Sequence, residues 1–322
     1  MAKAIEEFQL SGGRTLTVGH FGLGMQGKSV GSVKQEVHDG DTINVRALGN
    51  FGVRFLGVDA PEISFRLPNN SRQFIPISDA RWETFLTDPF ADPAGADFAQ
   101  MLSPALLNHL QENLGPGVAS NHSRHAVAAQ RELERQIEGD IAELEKTNDT
   151  FEFFLAFSAE ITDRFGRLLA YINREQKATP RPLDYNTRLL KAGSIDPYFI
   201  WPNINPFRKA PSLKAAVLQP CSANTTAEQD SVLREARTFV QAARLAQVGV
   251  FDAQDPLQLQ AFELRFLGER RLPARWVIDL SQNDDVLIPP QDYHTIPNVE
   301  DRLFIPDDYL PLFLEVGWRQ LE

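Results

Sequence analysis

The stretch from Val33 to Val58 constrains the fold most. It reads as three short strands, "VKQEV", "INVRAL" and "VRFLGV", each β-branched or alternating, cut by the turn signals "HDGD" and "GNFG". Strands this close together are joined by turns, because a parallel pair needs a crossover of a dozen or more residues, usually a helix. That bears on the segment just before them. "GLGMQGKS" (22–29) satisfies G-x-x-x-x-G-K-[ST] and also contains G-x-G-x-x-G. A phosphate loop needs a helix behind it, whose first amides and dipole end hold the anion. Only "VGSVKQEV" separates Ser29 from "HDGDT". Gly22, Gly24 and Gly27 are therefore expected to make a flexible turn, and nucleotide chemistry through Lys28 and Ser29 is set aside.

The remaining text alternates between helix and strand signals. Residues 63–122 are rich in Pro, Asn, Ser and Phe, with a helical piece near "ADFAQMLSPALLNHLQENLG" that stops at Gly-Pro-Gly. Residues 124–147 predict an amphipathic helix, with Val127, Leu133, Ile137, Ile141 and Leu144 at helical spacing. Strands are expected at 151–161 and 167–173, joined by "TDRFG". Helices follow at 185–193 and about 226–247, around a proline-rich loop at 197–211. The tail from 253 to 322 gives no assignable pattern, and no repeat of 20–50 residues is visible.

Composition excludes several classes. The chain has 322 residues, 43% hydrophobic and 23% charged, which suits one large or two ordinary globular domains. No run of 18 apolar residues exists and "MAKAIEEFQLSGG" has no apolar leader core, so no membrane association is expected. A cytoplasmic location or export without a visible signal is the expectation. Cys221 is the single cysteine, which removes internal disulfides and cysteine-built zinc sites. The net charge of −11 argues against coating nucleic acid through bulk positive potential, though not against local capture of phosphate by a few arginines.

Three motifs carry the chemistry: "DGDT" (39–42), "VRFLGVDAPE" (53–62) and "TDRFGR" (162–167). The first is not an EF-hand loop, because the twelfth residue from Asp39 is Asn50. Asp41 and Asp59 each end a strand, and neighbouring strands would bring both carboxylates to one hard cation. Glu62 follows Pro61 on a stiff turn near the same point. Arg54 lies five residues before Asp59, an odd spacing that a bulge or barrel curvature must correct. Arg167 begins the next strand. Carboxylates, a metal and two arginines suit phosphoryl transfer: positive groups neutralise the transition state and a carboxylate activates water.

The set resembles the staphylococcal nuclease (thermonuclease-like) family. "LLAYIN", "YNTRLLKAG" (185–193) and "AARLAQVGVF" (242–251) extend the likeness in the family's order. The resemblance implies an α+β fold: a five-stranded OB-type β-barrel with packed helices, split between 33–62 and 124–252. Residues 1–32 would be an N-terminal extension, 63–123 a mostly helical and loop insertion, and 253–322 an irregular C-terminal extension. It implies a calcium-dependent nuclease on DNA and/or RNA, favouring single strands and leaving 3′-phosphates. Asp41, Asp59 and the backbone carbonyl of Ala60 would bind Ca²⁺. Arg54 and Arg167 would clamp the scissile phosphate, and Glu62 would act as general base on water or position it. Arg164 matches a family lysine on a neighbouring phosphate. Phe165 stands where the family has a tyrosine, so that hydroxyl is lost. Tyr198, Phe199 and Trp201 fall where the family stacks a base. The alternative is a catalytically weak scaffold binding nucleic acid or protein.

Other residues carry plainer expectations. His38 is read as a turn residue, and His109, His122 and His125 as structural or solvated, since they match no zinc spacing. "RFLGERRLPAR" (265–275) is the densest basic patch, read as a solvated face or a nucleic-acid contact. The insertion is expected to shape the mouth of the site. It or the C-terminal extension could instead dock a protein partner.

Overall fold

The computed structural model describes residues 3–9, 15–37, 43–68, 73–208 and 210–321. The chain divides into two units, residues 1–54 with 160–170 and residues 55–159 with 171–322. His38, Asp39 and Asp41 lie outside the described residues.

The smaller unit is built from short antiparallel pairs. Ile5–Gln9 pairs with Thr15–Gly19, and Phe21–Leu23 pairs with Val45–Ala47. Met25–Gln26 pairs with Ser29–Val30, so Gly27 and Lys28 form a tight turn, with Gly27 at φ +61°. The glycine-rich stretch is thus a strand and a hairpin. "VKQEV" departs from the strand expectation: Val33–Glu36 is one helical turn. Ser32 caps it, and Gln35 Oε1 accepts the Ser32 backbone N–H at 2.9 Å, a reciprocal box that outweighs β-branched propensity over four residues. In a further turn of this unit, Thr162 bridges Leu168, with Gly166 at φ +73° between them. A side chain there would be strained and would also strike Ile5.

The larger unit is organised by one mixed sheet. Its order is Arg275–Asp279, Arg302–Pro306, Asp196–Ile200 and Gly57–Asp59. The two central strands run parallel and the two outer ones antiparallel to their neighbours. Side chains alternate between two apolar clusters, as a strand's period of two requires. Phe199, Ile278, Leu303 and Ile305 enter one cluster, packed by Leu189, Leu190, Leu233 and Val240 from the helices Tyr185–Lys191 and Ser231–Leu245. Tyr198, Val277 and Phe304 enter the other, packed by Trp82, Leu106, Leu110 and Leu264. The second cluster therefore joins residues of 63–123 and of 253–322 in one core, and the tail adds two strands and the helix Ala261–Glu269. The class is α+β, but among the described residues no sheet closes into a barrel.

Capping explains where helices break. The piece read as one helix near residue 100 is two, Pro93–Met101 and Pro104–Asn113. Ser103 accepts the Leu106 N–H and Pro104 occupies the first helical position, where its missing N–H costs nothing. Asp230 likewise separates Ala223–Gln229 from Ser231–Leu245 by accepting the N–H groups of Val232 and Leu233. The long helix Val118–Glu143 starts at once after Gly117. It is fixed to the strand Leu168–Arg174 and to Tyr185–Lys191 through buried Asp140. Arg174, Arg188 and the Tyr185 hydroxyl all donate to that carboxylate, at 2.9, 2.7 and 2.7 Å.

Candidate active site

Asp59 ends the Gly57–Asp59 strand, directly opposite Asp196 on the neighbouring strand. Ala60 and Pro61 turn the chain, and Glu62 follows. Both carboxylates converge on Arg265, which projects from Ala261–Glu269. Its Nη1 donates to Asp59 Oδ1 at 3.0 Å and to Glu62 Oε1 at 2.8 Å, and its Nη2 donates to Asp59 Oδ2 at 2.7 Å. The Asp59 side chain is 2% exposed, whereas Glu62 and Arg265 are 23% and 24% exposed. The guanidinium pKa is raised: its burial works against the charge, but Asp59 and then Glu62 outweigh it, so it stays cationic.

Two further groups fix this corner. The backbone N–H of Glu62 donates to His122 Nε2 at 2.8 Å, and His122 Nδ1 donates to the Leu259 carbonyl at 3.1 Å. Burial pushes His122 down to about 4, which keeps the ring neutral and suits that tautomer. Asp196 is pushed up to about 7, first by burial and then by the charge of Asp59. Gln260 Nε2 reaches it at 3.5 Å, and Gln260 Oε1 accepts from Arg302 at 2.9 Å. Behind them Glu263 is buried and accepts from the Tyr293 hydroxyl at 2.6 Å, with His109 Nε2 2.9 Å from the same oxygen.

In the smaller unit, Asp163 organises "TDRFGR". Its Oδ1 accepts the N–H groups of Phe165 and Arg167, and its Oδ2 accepts Arg167 Nε at 2.7 Å. Phe165 is exposed, with the guanidinium carbons of Arg164 and Arg167 at 4.7 and 5.5 Å from its ring centre. Arg54 is half-buried on Val53–Phe55. The aromatic candidates are packed inside the larger unit. Tyr198 stacks on Phe262 and its hydroxyl accepts from Arg275, while Trp201 packs against Tyr309 and Phe313 and donates to the Ala216 carbonyl. Phe199 is likewise buried.

The basic patch at 265–275 is not one surface. Arg265 serves the carboxylates, Arg270 pairs with Asp92, Arg271 with Glu269, and Arg275 holds Tyr198. Sequence reading placed Arg265 only in a basic patch and did not single out Asp196. No spacing links either to Asp59, because the link is made by tertiary packing. Among the described residues no group of three or more His, Cys, Asp and Glu side chains could hold a metal ion. Carboxylates are chemically apt for Ca²⁺. As they stand, however, Asp59 and Glu62 do not fit it, because a guanidinium holds both Asp59 oxygens and one of Glu62.

No protein-family model matches the chain, and no solved structure matches it. It is similar to Endonuclease YhcR of Bacillus subtilis (strain 168), at 25% identity over 274 residues. That alignment covers 84% of this chain and 15% of the relative's length. Among the described residues, no helix is long and apolar enough to cross a membrane.

Proposed function

We propose that the protein is a nuclease, a phosphodiester hydrolase acting on DNA and/or RNA and favouring single strands. The observation that carries this reading is that the end of the Gly57–Asp59 strand and the turn at Pro61 bring the carboxylates of Asp59 and Glu62 to one point. The distant likeness to an endonuclease supports it. In this reading Glu62, the more exposed carboxylate, takes a proton from the attacking water or positions it. Arg54 and Arg167 neutralise the phosphate as charge builds in the transition state, and Arg164 contacts a neighbouring phosphate. The OB-type core and calcium dependence belong to the same proposal; the ligand set of Asp41, Asp59 and the Ala60 carbonyl requires that Arg265 first release Asp59.

The test is to incubate the full chain with single-stranded DNA and with RNA, adding Ca²⁺ and then a chelator. Cleavage that starts with Ca²⁺ and stops with chelator is expected. One observation favours a second reading, a catalytically weak scaffold for nucleic acid or protein: Arg265 already engages Asp59 and Glu62. Absence of cleavage with any divalent cation would select that reading.

A further inference from the structure

A two-stranded ribbon just beyond Glu62 carries an outward face that the core does not use. Ser64–Phe65 pairs antiparallel with Ile75–Pro76, with Phe65 opposite Ile75 and Ser64 opposite Pro76. Phe65 and Ile75 are buried, so their neighbours Ser64, Arg66, Phe74 and Pro76 lie on the outward side. Continuing that register sets Arg66 opposite Phe74, and the two side chains meet, with the guanidinium carbon 4.8 Å from the ring centre. Phe65 packs edge-on against the same ring at 6.2 Å, yet Phe74 is 55% exposed. Arg66 differs from the arginines of the nearby helix end. Arg265, Arg270 and Arg271 each pair with a carboxylate. Among the described residues Arg66 makes no such pair, and its Nε is buried without a hydrogen-bond acceptor. A ring orients a guanidinium without neutralising it, so the charge stays available to a phosphate. The pair is also tied to the carboxylate corner. Arg66 is four residues beyond Glu62, a span of at most about 14 Å. At about 3.4 Å or more per nucleotide, a bound strand of about four nucleotides covers that span. The ribbon is seated on the helix Ala261–Glu269, where a Cβ at Gly268 would meet the Arg66 carbonyl at 2.9 Å. The same helix carries Arg265, so outward face and corner share one framework.

We propose that Arg66 and Phe74 form a subsite for single-stranded nucleic acid beside Glu62: the open side of the Phe74 ring stacks a base, and Arg66 contacts an adjacent phosphate. The subsite rests on the nuclease reading for its place in the reaction. Stacking accepts any base, because every base has a π-face, but it needs a base free of its duplex. The pair therefore selects single strands without reading sequence. It also gives a protein of net charge −11 a local hold on a polyanion.

The experiment is binding of a short, labelled single-stranded oligodeoxynucleotide of mixed sequence to the full chain, followed by fluorescence anisotropy. Chelator is present, so that no cleavage intervenes. Phe74→Ala is expected to weaken binding about tenfold, with little change for the same sequence as a duplex. Arg66→Gln is expected to weaken it as well and to make the log–log salt slope shallower by about 0.7–1, which a merely structural role would not do. Both side chains lie on the outward face, and thermal unfolding of each variant checks that the fold is kept. Parent-like affinity in either folded variant, or a parent that binds no single strand, overturns the subsite. The reading of function is scored separately, by cleavage of the same oligonucleotide. Weakened binding in both variants with no cleavage by the parent keeps the subsite and removes the nuclease. Cleavage by Phe74→Ala with an unchanged KM removes the subsite alone.

Discussion

Arg265 and Asp59 are 206 residues apart in the chain, and their side chains meet at 2.7 Å. One partner ends the strand Gly57–Asp59 and the other sits on the helix Ala261–Glu269. Residues 253–322 thereby contribute directly to the candidate site.

That pairing sets a stability prediction. Arg265→Ala leaves Asp59 charged, buried and without its fork, and should destabilise the fold by about 3–5 kcal/mol. Adding Asp59→Asn should recover part of that loss, because the charge that Arg265 balanced is gone. Urea denaturation of the two variants checks the order. A double variant no more stable than the single one would show that the pair is not coupled.

A second prediction concerns the shared core of residues 63–123 and 253–322. Trp82 is fully buried there and donates to the Ile75 carbonyl at 3.1 Å. Trp82→Ala should cost about 3–5 kcal/mol. Hydrogen exchange should then quicken in the helix Ala261–Glu269 as well as around Trp82, since both line one cluster. Exchange confined to the insertion would mean that the two segments fold separately.

His122 gives a pH prediction. Its folded pKa of about 4 lies below the ordinary 6.5, so the unfolded chain binds the extra proton between those values. Stability from this group is fully present above pH 6.5 and is lost as pH falls towards 4, by up to about 3 kcal/mol. His122→Gln removes the titration and should flatten that part of the stability profile. An unchanged slope of urea midpoint against pH would show that another group carries it.

The net charge of −11 predicts weak long-range attraction of polyanions. Binding of single-stranded DNA should show a shallow log–log salt slope, about −4 or less steep. A steeper slope would require more phosphate contacts than the arginines named here.

Much of the local structure was legible in the sequence. The "TDRFG" hairpin and the amphipathic helices were marked by turn residues and apolar spacing, and where boundaries slipped, caps at Ser103 and Asp230 explain it. "VKQEV" misled because a four-residue turn is decided by its capping box, not by propensity. Asp59 and Glu62 could be paired from strand end and turn alone. Arg265 could not, because nothing local relates residue 265 to residue 59. The tail was opaque for the same reason: its strands exist by pairing with Asp196–Ile200 and with each other. The stacking expectation for Tyr198 and Trp201 ran into that added layer, which packs both rings.

Arg167 is the clearest test of the phosphate clamp. Its guanidinium is 43% exposed in the pair with Asp163, and Asp163 keeps two backbone N–H donors, so Arg167→Ala should change stability by only about 1 kcal/mol. Cleavage of single-stranded DNA should nevertheless fall by about 10²-fold or more. Equal activity in the folded variant would remove Arg167 from the reaction.

The most direct measurement is the rate of single-stranded DNA cleavage by Glu62→Gln beside the parent chain, at saturating Ca²⁺. The substitution keeps the shape and removes the base. A folded variant slowed by about 10²–10³-fold is the predicted result. Parent-like cleavage by Glu62→Gln would contradict the assignment of this carboxylate corner as the active site.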